Sequence, residues 1–296
     1  MATTVIRDVL HAYDFTPSDR PADPVGEETE YPTLVFIHGW LLSRAYWQPL
    51  IDLLKQDYAC LAYDLRGFGE SAAKTQGDHC YPDQGYTLQD YGTDLQHLLD
   101  TLNLKNVWLV GHSLGGSIAL WGAAICPERV RGIICINAGG GIYLKEDFEK
   151  FRNAGQNLVK NRWPFLKHLP LLDLFFARLM VHRPLSRQWG KQRIHDFLQA
   201  DATAALGALL ETTTEQEVHY LPQLVAQLGQ PVYFLAGQQD PVMELKYVRH
   251  LASFHPSFGC MGNNVREIDH CGHLAMVEQV VSVEENIRKI LNQYHP

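Results

Sequence analysis

Gly111-His112-Ser113-Leu114-Gly115-Gly116 constrains this chain more than any other segment. It contains the pattern Gly-x-Ser-x-Gly, between the apolar run Val107–Val110 and a stretch of helical spacing, 114–125. A sharp strand-to-helix turn holds its serine in a strained backbone conformation. Side chains two positions to either side would collide there, so glycine fits. Such a turn lifts the Ser113 hydroxyl above a sheet edge. The Leu114 N–H, at a helix start, lacks an intrahelical acceptor and is a candidate donor to a developing oxyanion. A bare five-residue pattern is weak evidence. The strand before it and the helix after it supply the context that nucleophilic chemistry needs.

The rest of the chain supplies a matching scaffold. Thr33–Ile37, Tyr58–Tyr63, Gly132–Ile136 and Val232–Ala236 are further continuous apolar runs, and Val265–Ile268 is a weaker one. Such runs suit strands buried on both faces of a parallel sheet. Residues 3–13 read as one or two edge strands, and 17–32, rich in Pro, Asp and Glu, as a turn region. Helical spacing recurs over 43–56, 87–103, 114–125, 242–254 and 274–292. The alternation predicts an α/β fold: a mostly parallel central sheet with helices on both faces. It breaks once. About 95 residues between Ile136 and Val232 hold no convincing strand and are rich in Leu, Phe, Trp, Arg and Lys. The expected organisation is a core domain of residues 1–139 and 223–296 with an inserted helical cap over 140–222.

A serine hydroxyl needs a base to take its proton, and the base needs a third group to orient it. In this arrangement the order along the chain is Ser, then Asp or Glu, then His. Asp240 follows the run Val232–Ala236 in a short loop, which places it where the carboxyl ends of parallel strands hold ligands. It can also cap the helix after it, since Asp-Pro opens helices. In Val265–Leu274 two histidines compete, and His273, preceded by Gly272, is the candidate base, with His270 structural. Trp40 N–H, after Phe36-Ile37-His38-Gly39, is the candidate second oxyanion donor, with Leu41 the neighbouring choice. Gly39 lets that backbone turn toward the site, and His38 is expected to pin the loop by hydrogen bonds. His38, Gly39 and His112, with unidentified cap residues, are also expected to line the substrate side.

Composition excludes other classes. The chain has 296 residues, a net charge of −8 and no long basic run, so no nucleic-acid partner is expected. The six cysteines, Cys60, Cys80, Cys126, Cys135, Cys260 and Cys271, form no CxxC pair and read as free thiols. The histidines have no metal spacing, so no metal is expected. The N-terminus lacks the apolar core of a secretory signal, and no run approaches the length of a membrane span. The cytoplasm is the expected location, and a monomer or homodimer the expected state.

With Phe36–Trp40, Tyr63-Asp64-Leu65-Arg66-Gly67-Phe68-Gly69-Glu70-Ser71, Gly111–Gly116, and Asp240 with Cys271-Gly272-His273, the chain resembles the α/β-hydrolase superfamily. The branch is the cap-bearing one of serine esterases, cofactor-free haloperoxidase-like enzymes, carbon–carbon bond hydrolases and epoxide hydrolase relatives. The resemblance implies Ser113 as nucleophile, Asp240 as orienting acid, His273 as base and no cofactor. It gives Asp64–Ser71 a structural role, with Arg66 near the site. Epoxide hydrolases and haloalkane dehalogenases use an aspartate at the nucleophile position, so Ser113 speaks against those activities.

The cap segment Trp163–Met180 is unusually apolar. Packing on the core is its first reading, walling a pocket for a lipophilic substrate the second. Peripheral membrane contact helped by Arg162, Lys167, Arg178 and Arg183 is the least favoured. The expected reaction is hydrolysis of an ester or thioester of a medium-to-large apolar substrate. Carbon–carbon cleavage, lyase or perhydrolase chemistry on the same triad is the alternative, and a non-enzymatic receptor or scaffold the second.

Overall fold

The structure, a computed structural model, describes residues 1–20, 31–72, 85–140 and 145–294. Most of the expected turn region 17–32, together with His79 and Cys80, lies outside them.

The strands are β1 (Ala2–Ile6), β2 (Val9–Thr16), β3 (Thr33–Ile37), β4 (Cys60–Tyr63), β5 (Val107–His112), β6 (Val130–Ile136), β7 (Val232–Gly237) and β8 (Val265–Ile268). They form one sheet in the order β1-β2-β4-β3-β5-β6-β7-β8. The residues expected as edge strands form the antiparallel hairpin β1–β2, of which only β1 is an edge, because β2 also pairs antiparallel with β4. Every other pairing is parallel. The apolar runs bury both faces by strand alternation. Val35, Ile37, Leu61 and Leu109 enter one core, and Leu34, Phe36, Ala62 and Trp108 the other. The chain passes from β3 to β4 on one side and then returns to β5 on the other. This reversal opens a crevice at the carboxyl ends of β3 and β5.

The helices of the core are α1 (Gln48–Leu54), α2 (Leu88–Thr101) and α3 (Leu114–Ile125). Helix α2 starts at a capping box between Thr87 and Asp90. Between β6 and β7 come α4 (Lys145–Lys160), α5 (Leu172–Phe176), α6 (Arg187–Gln199), α7 (Ala202–Glu211) and α8 (Glu215–Gln227), and no strand among the described residues. After β7 come α9 (Leu245–Ala252), α10 (Ala275–Glu278) and α11 (Val280–Leu291). The single helix expected over 274–292 is two, because Gln279 leaves helical geometry at φ −132° and ψ 50°. The cap limit expected at residue 222 falls inside α8. Pro222 there is tolerated within the helix, which packs on core helix α3 through Trp121 and Tyr220, ring centroids 5.4 Å apart.

The cap is tied together by arginines that donate to carbonyls in and beyond the last turns of its helices, where backbone acceptors are left over. Arg152 reaches the carbonyls of Leu210 and Thr213, Arg162 those of Phe197 and Ala200, and Arg193 those of Phe176 and Leu179. Arg162, named with the least favoured reading of membrane contact, is thus turned inward and takes no part in such a surface. The apolar segment Trp163–Met180 does not simply pack on the core. Leu166 and Phe176 do, while Trp163, Phe165, Leu169, Leu171 and Phe175 are exposed. None of the segment walls the cavity beside Ser113.

Cys60, Cys126, Cys135, Cys260 and Cys271 are free thiols, and no helix among the described residues is long and apolar enough to cross a membrane.

One buried carboxyl joins cap to core. Asp196 of α6 accepts from Ser43 Oγ at 3.1 Å and Gln192 Nε2 at 3.0 Å. Burial pushes it up to about 7, against those hydrogen bonds. A carboxyl that holds its proton more tightly folded than unfolded stabilises the fold while protonated. Its contribution is complete below about pH 4 and lost as pH rises through about 7. At about 1.4 kcal/mol per pKa unit the loss is up to about 4 kcal/mol. Urea unfolding of wild type and Asp196→Asn at about pH 4 and about pH 8 measures it. The wild type is expected to lose stability relative to the variant over that interval. A pH-independent difference between them would contradict a protonated Asp196.

Candidate active site

Ser113 stands at φ 52° and ψ −117°, outside the regions that ordinary residues occupy. The turn holds because its neighbours are glycines. A Cβ on Gly111 would lie 2.2 Å from the Gly115 carbonyl oxygen, and one on Gly115 would lie 2.2 Å from the Ile37 carbonyl oxygen. Backbone packs directly on backbone here, so no side chain fits. The Ser113 N–H donates to the Ile136 carbonyl at 3.0 Å, which fastens the turn to β6.

The loops after β7 and β8 bring in the other two groups. His273 Nδ1 lies 2.8 Å from Asp240 Oδ2, and His273 Nε2 lies 3.2 Å from Ser113 Oγ. Asp240 Oδ1 accepts the N–H groups of Val242 at 2.8 Å and Met243 at 2.9 Å, so the residue also caps the start of the following segment. Burial by itself would raise the Asp240 carboxyl. Charge attraction to His273 and the hydrogen bonds from His273, Met243 and Val242 outweigh it and hold the group below the usual carboxylate value. An ionised Asp240 fixes the imidazole proton on Nδ1 and leaves Nε2 free to accept from the serine. His270, the competing histidine, is exposed and stacks on His182 at 5.5 Å between centroids.

Three partners are visible only in space. Asn137, at φ 49° just beyond β6, donates from Nδ2 to Asp240 Oδ2 at 2.8 Å and to the Gly272 carbonyl at 3.1 Å. Glu278 accepts the N–H of Gly272 on one oxygen and those of His182 and Arg183 on the other, bracketing the histidine loop to the end of the cap. His112 Nε2 lies 2.7 Å from the His273 carbonyl oxygen. Burial pushes His112 down to about 3, so it is neutral, and its one proton sits on Nε2 to reach that acceptor.

His38, Gly39 and His112 therefore stand elsewhere than expected. Each histidine is buried, and neither they nor Gly39 line the cavity. His38 Nδ1 donates to the Gly39 carbonyl at 2.8 Å and Nε2 accepts the Leu65 N–H at 2.9 Å, so the ring pins the loop. Gly39 is small because a Cβ would meet His112 Nδ1 at 2.7 Å. Arg66 is fully buried against Asp94 and the Gly85 carbonyl, away from the cavity. Asp64 is buried under Arg44 and the Glu70 N–H, as a structural stretch requires.

The oxyanion segment turns between Gly39 and Leu42, whose N–H donates back to the Gly39 carbonyl at 3.2 Å. Leu41 takes φ 56° and enters the core. Trp40 lines the cavity with Ser113 and Leu114, and its indole Nε1 donates to the Ala205 carbonyl of α7 at 2.8 Å. The Trp40 N–H is not used by the turn's own hydrogen bond. The cavity measures about 90 Å³, and Leu88, Phe151, Leu209, Val242 and Met243 supply much of its wall. Among the described residues, no group of histidine, cysteine, aspartate and glutamate could hold a metal ion.

A family model described as alpha/beta hydrolase fold matches residues 32–280. The 2-succinyl-6-hydroxy-2,4-cyclohexadiene-1-carboxylate synthase of Salmonella newport is 27% identical over 265 residues, 88% of this chain and 94% of that protein. The 3-oxoadipate enol-lactonase 2 of Acinetobacter baylyi is 24% identical over 268 residues, 90% of this chain and 91% of that one. A thermophilic esterase from Thermogutta terrifontis has the same fold, with a TM-score of 0.73 at 20% identity over 100% of both chains.

Proposed function

The chain belongs to the α/β-hydrolase family, and from that premise we propose that it is a serine hydrolase cleaving a carboxylic ester or thioester of a medium-to-large apolar substrate through an acyl-enzyme. The observation that carries the reading is Ser113 Oγ, 3.2 Å from His273 Nε2 in the wall of a largely apolar cavity.

As Ser113 Oγ attacks the carbonyl carbon, His273 Nε2 takes its proton, and Asp240 stabilises the imidazolium. The N–H groups of Leu114 and Trp40 receive the oxyanion. His273 then protonates the leaving alcohol or thiol. Water, deprotonated by the same nitrogen, cleaves the acyl-enzyme and restores Ser113. The cavity takes the apolar group next to the scissile bond, and the rest of a larger substrate extends beyond it.

Two relatives carry substrates or products with carboxylates in their names, and one of them is a synthase. The cavity lining carries no lysine or arginine among the described residues, which favours a neutral substrate here. Stopped-flow hydrolysis of a neutral medium-chain p-nitrophenyl ester is expected to show a burst approaching one p-nitrophenol per enzyme. Its kcat/KM is expected to exceed that of the p-nitrophenyl hemisuccinate by at least about tenfold, the cost of an unpaired charge in such a cavity. Turnover of diketone or peroxide substrates without turnover of any ester would replace the reading with other chemistry on the same triad.

A further inference from the structure

The cap concentrates positive charge in an acidic protein. Residues 150–195 hold ten of the chain's 25 Lys and Arg and one of its 33 Asp and Glu. Arg152, Arg162 and Arg193 are spent on carbonyls inside the cap. Lys160, Lys167, Arg178, Arg183, Arg187 and Lys191 are exposed, and Arg187 alone among them pairs with the one acid, Asp173.

The exposed part of the apolar segment lies between Lys160 and Arg178 along the chain. Trp163 and Phe165 are 56% and 53% exposed, with ring centroids 5.9 Å apart. Leu171 and Phe175, 63% and 58% exposed, are joined by the hydrogen bond from the Phe175 N–H to the Leu171 carbonyl. Lys167, Leu169, Leu171, Arg187 and Lys191 line one groove of about 490 Å³. Exposed aromatic and aliphatic side chains interleaved with lysine and arginine suit an interface that is apolar below and anionic above.

We propose that this face of the cap docks on an anionic lipid bilayer, with Trp163, Phe165, Leu171 and Phe175 entering the headgroup–acyl boundary and the surrounding cations meeting lipid phosphates. Charge complementarity selects this occupant. The remainder of the chain is strongly acidic, so an anionic surface attracts this face and repels the others. A second copy would bring two cationic faces together. The inference does not rest on the ester reading.

Trp163 is the one exposed tryptophan of the six, so its emission reports insertion. The intact chain is sedimented with vesicles of phosphatidylcholine containing about 30% phosphatidylglycerol and with pure phosphatidylcholine. The partition coefficient is expected to be at least about tenfold higher on the anionic vesicles, to fall with added salt, and to accompany a blue shift absent in Trp163→Phe. Lys167→Glu with Lys191→Glu is expected to lower anionic binding by about tenfold or more, and Leu171→Ser with Phe175→Ser to lower it as well. A melting curve of each variant checks that it is folded. Equal binding to both vesicles, binding to neither, or self-association that Leu171→Ser with Phe175→Ser abolishes would each overturn the proposal.

Discussion

Ser113→Ala is expected to lower kcat by about 10⁶-fold, some 8 kcal/mol of transition-state stabilisation, with thermal stability almost unchanged. The two effects separate because the substitution removes one oxygen and leaves the Cβ. Alanine meets the same cost as serine at φ 52°. The Ser113 N–H still donates to the Ile136 carbonyl, and the glycine contacts that close the turn do not involve the hydroxyl. On the proposed mechanism, what goes is the atom that would form the acyl-enzyme, and the remaining groups would not replace it. Residual catalysis over water would come from the proposed oxyanion donors, the N–H groups of Leu114 and Trp40, and from apolar binding. Single-turnover kinetics with a neutral ester, together with a melting curve, test this. A variant within about tenfold of wild-type kcat would remove Ser113 from the mechanism, and so would labelling of the variant by a fluorophosphonate.

The residues of that mechanism differed in how openly the sequence displayed them. Strands were readable because Thr33–Ile37 and its counterparts are buried on both faces, and only a two-sided sheet asks for such runs. Ser113, Asp240 and His273, which the structure brings within hydrogen-bond reach of one another, were readable as candidates because each follows a strand in the chain order that goes with a Gly-x-Ser-x-Gly turn. Asn137, Glu278 and the role of His112 were not. Each acts through a partner more than a hundred residues away or through a backbone atom, as with Asn137 to Asp240 and His112 to the His273 carbonyl. A positive φ at Asn137 is a local trace, since asparagine tolerates it best among non-glycine residues, yet a sequence does not print φ. The helix from 274 to 292 was overextended because its apolar spacing continues through Gln279, while the side chain of Gln279 bonds the His270 carbonyl at 2.9 Å and the backbone breaks there. The apolar segment of the cap was unreadable for a different reason. Trp163–Met180 has apolar content without a period, and content alone does not say which side chains find neighbours.

Asp240→Asn should be the second most damaging change, with kcat lower by about 10⁴-fold and the fold intact, because it reverses one proton position. Asp240 Oδ1 accepts two backbone N–H groups, from Val242 and Met243. An asparagine satisfies both only by placing its carbonyl oxygen there. Its NH₂ then occupies the Oδ2 position, 2.8 Å from His273 Nδ1 and 2.8 Å from Asn137 Nδ2. A donor now faces His273 Nδ1, so the imidazole must accept there and carry its proton on Nε2. That nitrogen then donates toward Ser113 Oγ and cannot take the serine proton. The same NH₂ also meets the Asn137 donor, which leaves Asn137 its bond to the Gly272 carbonyl alone. Flipping the asparagine would restore the tautomer but set an NH₂ against the backbone N–H groups of Val242, part-buried, and Met243, buried, a cost of about 2–6 kcal/mol for two unsatisfied donors. The structure therefore holds the wrong tautomer in place. The check is kcat as a function of pH. In Asp240→Asn, an imidazole that carries its proton on Nε2 is expected to stay inactive as a base, so activity remains low across neutral pH and recovers only where hydroxide takes over the base's role. A variant keeping more than about a tenth of wild-type kcat at neutral pH would show that the two N–H donors to Oδ1 do not fix the side chain's orientation, and that Asp240 is a helix cap before it is a catalytic partner.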